Sequence, residues 1–276
     1  MNAKEFTFSI QQKTIAGSIW EAPKSSHTII IVHGMGEHAG RYTSYVIPAL
    51  IKNHATVVGF DQIGHGKSSG KRGHCPSYNF LLETLEAVIQ KAKNKFPDLP
   101  VFLYAQSMGG NVVLNLALRK KPKVAGIIAS SPFLRLSFQP PGWKMALGKL
   151  LQKIMPSVTL PLDLDTKALS KDPEEVKKYE QDPLVHNKVS PNYSFPVMEA
   201  GEWAIKNANT LKIPTLVMHG VADAIIDYKG SEAFAENSKF TTLQLFEEGY
   251  HELHNDYEKE EALTTAINFI NTQLRK

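Results

Sequence analysis

Ser107 stands in the run Val101-Phe-Leu-Tyr-Ala-Gln-Ser107-Met-Gly-Gly-Asn-Val-Val, where an apolar strand meets small residue, x, Ser, x, Gly and then a helical stretch. A serine at such a sharp strand-to-helix turn is held clear of the sheet, and its neighbours two positions away must be small for the turn to close. Ala105 takes the place of the usual first glycine and is the least bulky substitute. Because a helix follows at once, the Met108 N–H faces the place where negative charge would develop beside Ser107. A serine hydroxyl is a weak nucleophile at neutral pH; it needs a base, and the base needs an orienting carboxylate. The run TLVMHG leads to Asp223 and the run TLQLF leads to His251, each just past the end of an apolar strand. Together Ser107, Asp223 and His251 point to acyl transfer through a serine nucleophile. For Ser107 taken alone, a helix cap is the competing reading.

Upstream, the run TIIIV ends in His33-Gly-Met35-Gly-Glu37-His38, a glycine turn that can fold back and present the Met35 N–H to Ser107. Nearby candidates have plainer readings. Asp227 reads as a helix cap. His219 lies within its strand and reads as a satisfied core histidine, and His254 reads as a substrate-contacting or structural residue. His65 belongs to a glycine-rich turn, Asp61-Gln-Ile-Gly-His-Gly-Lys-Ser68, that lacks phosphate-loop spacing. The single cysteine, Cys75, excludes an internal disulfide, and no Cys/His cluster has zinc spacing. The chemistry implied calls for no metal or organic cofactor.

The elements that must carry these residues are legible as an alternation. Strands are expected at 5–10 and 14–20, antiparallel to each other, then at 28–32, 55–59, 101–104, 124–129, 215–218 and 241–246. Helices are expected at 42–52, 79–95, 108–119, 231–237 and 258–274. Near-continuous apolar runs such as TIIIV and GIIA suit strands buried on both faces, so the fold class is α/β with a mostly parallel sheet between helices. The 276 residues, 42% hydrophobic and 21% charged, form one domain spanning 1–276. The alternation breaks at roughly 132–212, which reads as a helical cap inserted over the carboxyl edge of the sheet. There Trp143, Leu147, Leu150, Leu151 and Ile154 follow the helical period, between Pro141 and Pro156. With Met145 and Met155 they could line an acyl tunnel, although packing onto the core is the plainer reading for most. A transient contact with a membrane surface is a further alternative. The net charge of +4 is too small and too dispersed for nucleic acid. With no apolar run of roughly 20 residues and no signal-like start, the expected location is cytoplasmic, peripheral to a membrane at most.

HGMGEHAGRY, FDQIGHGKSSGKRG, AQSMGG, LSKDPEEVKKYEQDPLVH, MHGVADAIID and GYHELHND, in this order along nearly the whole chain, resemble monoacylglycerol lipases and their lysophospholipase relatives among the α/β-hydrolases. EHAGRY and KKYEQDPLVH are the more specific elements. The resemblance implies a Ser107–Asp223–His251 triad, oxyanion donors at the Met35 and Met108 N–H groups, and Glu37, Arg41, Tyr179 and His254 near a pocket for the glycerol head. Glu37 and Arg41 could equally be a structural pair shaping the turn, and Tyr179 could equally pack the cap. The departures are Ala105 and Gln106; relatives often carry histidine at the latter, a position bearing on head-group selectivity.

The expectation is therefore a serine hydrolase cleaving monoacylglycerol, with a lysophospholipase or broad carboxylesterase as the nearest alternative. A catalytically silent binding protein on the same fold is the alternative of a different class. A peptidase would want an acidic cluster for an α-ammonium, and the sequence displays none. The partner expected is a lipid ester, with the oligomeric state left open.

Overall fold

The structure, a computed structural model, describes residues 3–139, 141–162 and 164–275. In chain order the elements are β1 (Lys4–Ile10), β2 (Lys13–Trp20), β3 (His27–Val32), α1 (Val46–Lys52), β4 (Ala55–Phe60), α2 (Tyr78–Lys95), β5 (Val101–Gln106), α3 (Met108–Lys120), β6 (Gly126–Ser130) and α4 (Gly142–Ile154). They continue with β7 (Leu160–Pro161), α5 (Pro173–Gln181), β8 (Lys188–Val189), α6 (Pro191–Asn207), β9 (Thr215–Gly220), α7 (Tyr228–Glu236), β10 (Thr241–Phe246) and α8 (Lys259–Leu274).

The main sheet has eight strands in the order β1-β2-β4-β3-β5-β6-β9-β10. β1 and β2 pair antiparallel, as does β2 with β4, and the remaining pairs are parallel. Alternation along the strands divides the core. Ile30, Val32, Leu103 and Val217 pack with α2, α3 and α6 on one face, while Ile29, Ile31, Tyr104 and Met218 pack with α1 and α8 on the other. Burial on both faces is why these strands read as continuous apolar runs. The parallel order sends the ends of β3, β5, β9 and β10 to one edge, where α/β sheets place their sites.

The segment between β6 and β9 has two parts. α6 joins the layer over the sheet, its Tyr193, Val197 and Ala204 buried. Asn111 Nδ2 of α3 donates to the Val197 carbonyl at 3.0 Å, and Asn115 Nδ2 to that of Ala200 at 3.1 Å. α4, by contrast, buries no residue. It meets α6 through Gly148, where a Cβ would stand 2.7 Å from the Phe195 ring. Close approach at a glycine turns the apolar stripe outward: Trp143, Leu147, Leu150 and Ile154 are 66, 48, 52 and 63% exposed. The expectation that this stripe packs onto the core is therefore corrected; helical periodicity locates a stripe but not the side that faces a neighbour.

Candidate active site

Ser107 occupies a turn with φ +52° and ψ −116°, a conformation that non-glycine residues hold only under constraint. The constraint is visible. Its N–H donates to the Ser130 carbonyl at 2.9 Å, and its own carbonyl accepts from the N–H groups of Phe133 and Asn111 at 2.9 and 3.0 Å. Ala105 is fully buried, so a methyl group is accommodated at the first small position. Gly109 is not replaceable in this way, because a Cβ there would overlap the Val32 carbonyl at the end of β3. The Ser107 side chain makes no capping hydrogen bond to α3, which removes the helix-cap reading.

Asp223 and His251 lie on the turns beyond β9 and β10. His251 Nδ1 donates to Asp223 Oδ2 at 2.7 Å, and His219 Nε2 reaches the same oxygen at 3.2 Å. Asp223 Oδ1 accepts from the N–H groups of Ile225 and Ile226 at 2.8 and 3.0 Å. Burial alone would raise the Asp223 carboxyl, but the His251 charge and the hydrogen bonds from His219 and His251 outweigh it and hold the group well below the usual carboxylate range. Burial in turn lowers His251, and the Asp223 charge outweighs that, leaving the imidazole above its ordinary value of 6.5. His219 is fully buried, as a core histidine should be, with Nδ1 2.7 Å from Ser231 Oγ. Its contact with Asp223 is the part that the sequence reading missed. Asp227 caps α7 through a 3.0 Å bond from the Lys229 N–H.

The glycine turn after β3 reaches the elbow: a Cβ on Gly34 would stand 3.4 Å from Ser107 Cβ. Among the described residues, neither the Met35 nor the Met108 N–H donates to another protein group. The turn is fixed by Glu37, whose Oε1 accepts from the Gly34 N–H at 2.6 Å and from the Tyr42 hydroxyl at 3.0 Å. Arg41 donates to Glu37 Oε2 at 2.9 Å and grips both oxygens of Glu252 at 2.6 and 2.7 Å. Burial would raise the Glu252 carboxyl, yet the Arg41 charge and its bidentate hydrogen bonds bring it down to about 2. The Arg41 guanidinium lies 4.7 Å from the centre of the Tyr179 ring.

A cavity of about 390 Å³ brings these pieces together, with Ser107, His251, Gly34, Met35, Glu37, Gln106, Tyr179 and Glu252 among its bordering residues. The remainder of its wall is mostly apolar, including Phe133, Leu136, Leu162, Phe195, Val197, Met198 and Ile226. Gln106 Nε2 donates to the His251 carbonyl at 2.8 Å. Met145 and Gly148 are the uncharged α4 residues at the wall, while Trp143, Leu147, Leu150, Leu151, Ile154 and Met155 are not part of it. Arg41 and His254 also stand behind the wall. His254 is stacked on Tyr42 at 4.7 Å between ring centres and is 1% exposed, an arrangement that suits the structural of its two expected readings. Glu37 and Glu252 form the acidic pair at the cavity that the sequence did not display. They are far apart in the chain, and only the adjacency of Glu252 to His251 hinted at its place. Among the described residues no group of three or more His, Cys, Asp or Glu is arranged to hold a metal ion.

The family model described as serine aminopeptidase, S33 matches residues 23–258. An uncharacterized abhydrolase domain-containing protein of Dictyostelium discoideum is 37% identical over 251 residues, 90% of this chain, which spans only 26% of that protein's length. A monoacylglycerol lipase of Mycolicibacterium smegmatis is 30% identical over 249 residues, 89% of this chain and 88% of that one. The crystal structure of Paleococcus ferrophilus monoacylglycerol lipase superposes with a TM-score of 0.85 at 33% identity, covering 99% of this chain and 100% of that one. The chain thus belongs to the serine aminopeptidase S33 family of α/β-hydrolases, alongside the monoacylglycerol lipases that its motifs resemble, and is a hydrolase.

Proposed function

We propose that the chain is a serine carboxylic-ester hydrolase that cleaves monoacylglycerol to fatty acid and glycerol through an acyl-enzyme intermediate. The observation carrying this reading is that Ser107 and His251 border a cavity of about 390 Å³ whose wall is otherwise mostly apolar. That is the surrounding a single acyl chain needs when its ester carbonyl is presented to a serine.

In this mechanism His251 takes the Ser107 proton as Oγ attacks the carbonyl, while Asp223 orients the imidazole and stabilises its charge. The unengaged N–H groups of Met35 and Met108 receive the oxyanion; losing one such donor typically costs about 2.7–4 kcal/mol of barrier. His251 then protonates the departing glycerol oxygen. It next activates water, which releases the fatty acid and restores Ser107.

Within the segment 132–212, the part before α6 acts as a cap over this cavity. The outward stripe of α4, with Phe138 and Leu160 also exposed, rests on a lipid surface from which substrate enters.

The test is a panel of a medium-chain monoacylglycerol, lysophosphatidylcholine of equal chain, tributyrin and a short p-nitrophenyl ester. The highest kcat/KM on the monoacylglycerol is expected. A higher value on the lysophospholipid overturns the substrate assignment, and no turnover of any ester overturns the esterase reading.

A further inference from the structure

An ester presented to Ser107 splits the cavity into two ends. Phe133, Phe195 and Met198 offer an apolar wall suited to the acyl chain, and the polar cluster of Glu37, Gln106 and Glu252, joined through Arg41 and the His251 carbonyl, is suited to the alcohol side. At that end the charges do not balance in space. Glu37 and Glu252 both border the cavity, and the Arg41 guanidinium that pairs with them stands behind it. Two carboxylates share one cation, and the neighbouring His254 does not supply another, since burial keeps its imidazole below the ordinary histidine range. The wall's lysine, Lys144, stands on α4 with its ammonium 5.9 Å from the centre of the exposed Trp143 ring, apart from the Glu37–Arg41–Glu252 cluster in the chain. One oxygen of each carboxylate already has two donors, while among the described residues Glu252 Oε1 and Glu37 Oε2 accept from Arg41 alone. Glu252 Oε2 accepts from Arg41 and from Asn255 Nδ2, and Glu37 Oε1 accepts from Gly34 and Tyr42.

We infer that Glu252 is a specificity-determining residue that makes the alcohol end select uncharged head groups and reject phosphoryl ones; this rests on the ester-hydrolase reading above. A phosphoryl oxygen there meets net negative charge and finds Arg41 already held bidentate, whereas a glycerol hydroxyl incurs neither penalty. The same field acts on the fatty-acid product, whose new carboxylate is repelled from the site once water has cleaved the acyl-enzyme.

The experiment compares kcat/KM for a monoacylglycerol and for the glycerol-phosphate ester of the same acyl chain, in the wild type and in Glu252→Gln. The wild type prefers the neutral ester, and removing one unit charge from the alcohol end relaxes the preference about tenfold. Equal turnover of both esters by the wild type, or an unchanged ratio in Glu252→Gln, overturns the inference. Binding of the matching non-hydrolysable alkyl glycerol ether and its phosphate to the wild type keeps the test open if the variant fails to fold. Tighter binding of the neutral ether supports the inference, and equal binding of the two overturns it. If no ester is turned over, it is the esterase reading that fails, and the ethers still decide the charge selectivity.

Discussion

Asp223 holds His251 in a 2.7 Å hydrogen bond from Nδ1, the shortest of the four donors converging on this buried carboxylate. The pairing favours the imidazolium and raises the His251 pKa above its ordinary 6.5. A base must be neutral to accept the Ser107 proton, so kcat/KM falls as pH drops through that raised value. In Asp223→Asn the imidazole loses the nearby negative charge, and its pKa drops. The acid limb of the pH profile then moves to lower pH while kcat decreases by about 10⁴. An acid limb that stays in place separates Asp223 from the base.

Arg41 is the counter-charge of two buried carboxylates, its side chain 7% exposed against 3% for Glu37 and 5% for Glu252. Truncating it leaves both acids without their cation. Arg41→Ala is expected to lower unfolding stability by about 3–5 kcal/mol in urea titration, the range for a buried pair deprived of one partner. A loss below about 1 kcal/mol would show that solvent reaches the cluster freely.

The contact of Gly148 with Phe195 sets how closely α4 approaches the cavity. Gly148→Leu must displace the Phe195 ring or the helix, and overpacking of this kind typically costs about 1–3 kcal/mol. Both residues border the cavity, so kcat/KM falls more for long acyl chains than for short ones. An equal fall for every chain length would place the acyl group elsewhere.

Much of the fold was legible because the relevant signals are local. TIIIV and GIIA are continuous apolar runs, the signature of strands covered on both faces, and the elbow demands small neighbours around Ser107 whatever surrounds it. Asp223 and His251 were legible because strand ends carry sites in parallel sheets. The orientation of α4 was not, since its stripe is periodic about the helix axis and the deciding contact is an absent side chain at Gly148. Nor was Glu252, whose place depends on a pairing with Arg41 across the whole chain. The stacking of His254 on Tyr42 was likewise not legible, since its nearness to His251 in the chain does not tell which way the ring turns.

The outward face of α4 exposes Trp143 and Ile154 at 66 and 63%, with Lys149 and Lys153 on the same helix. Such a face binds an interface through apolar burial aided by anionic lipid. The protein is expected to float with vesicles containing phosphatidylglycerol, and Trp143→Ser with Ile154→Ser to lower the floated fraction severalfold. If the wild type stays entirely in the unbound fraction, this face is not a membrane contact.

The central claim is that Ser107 attacks a lipid ester. Its most direct test is hydrolysis of a medium-chain monoacylglycerol by the wild type and by Ser107→Ala, with unfolding curves to establish that both are folded. Turnover by the wild type is expected, with a fall of at least about 10⁴ in kcat for the variant, within the range for loss of a serine nucleophile. Turnover surviving in folded Ser107→Ala would contradict the claim.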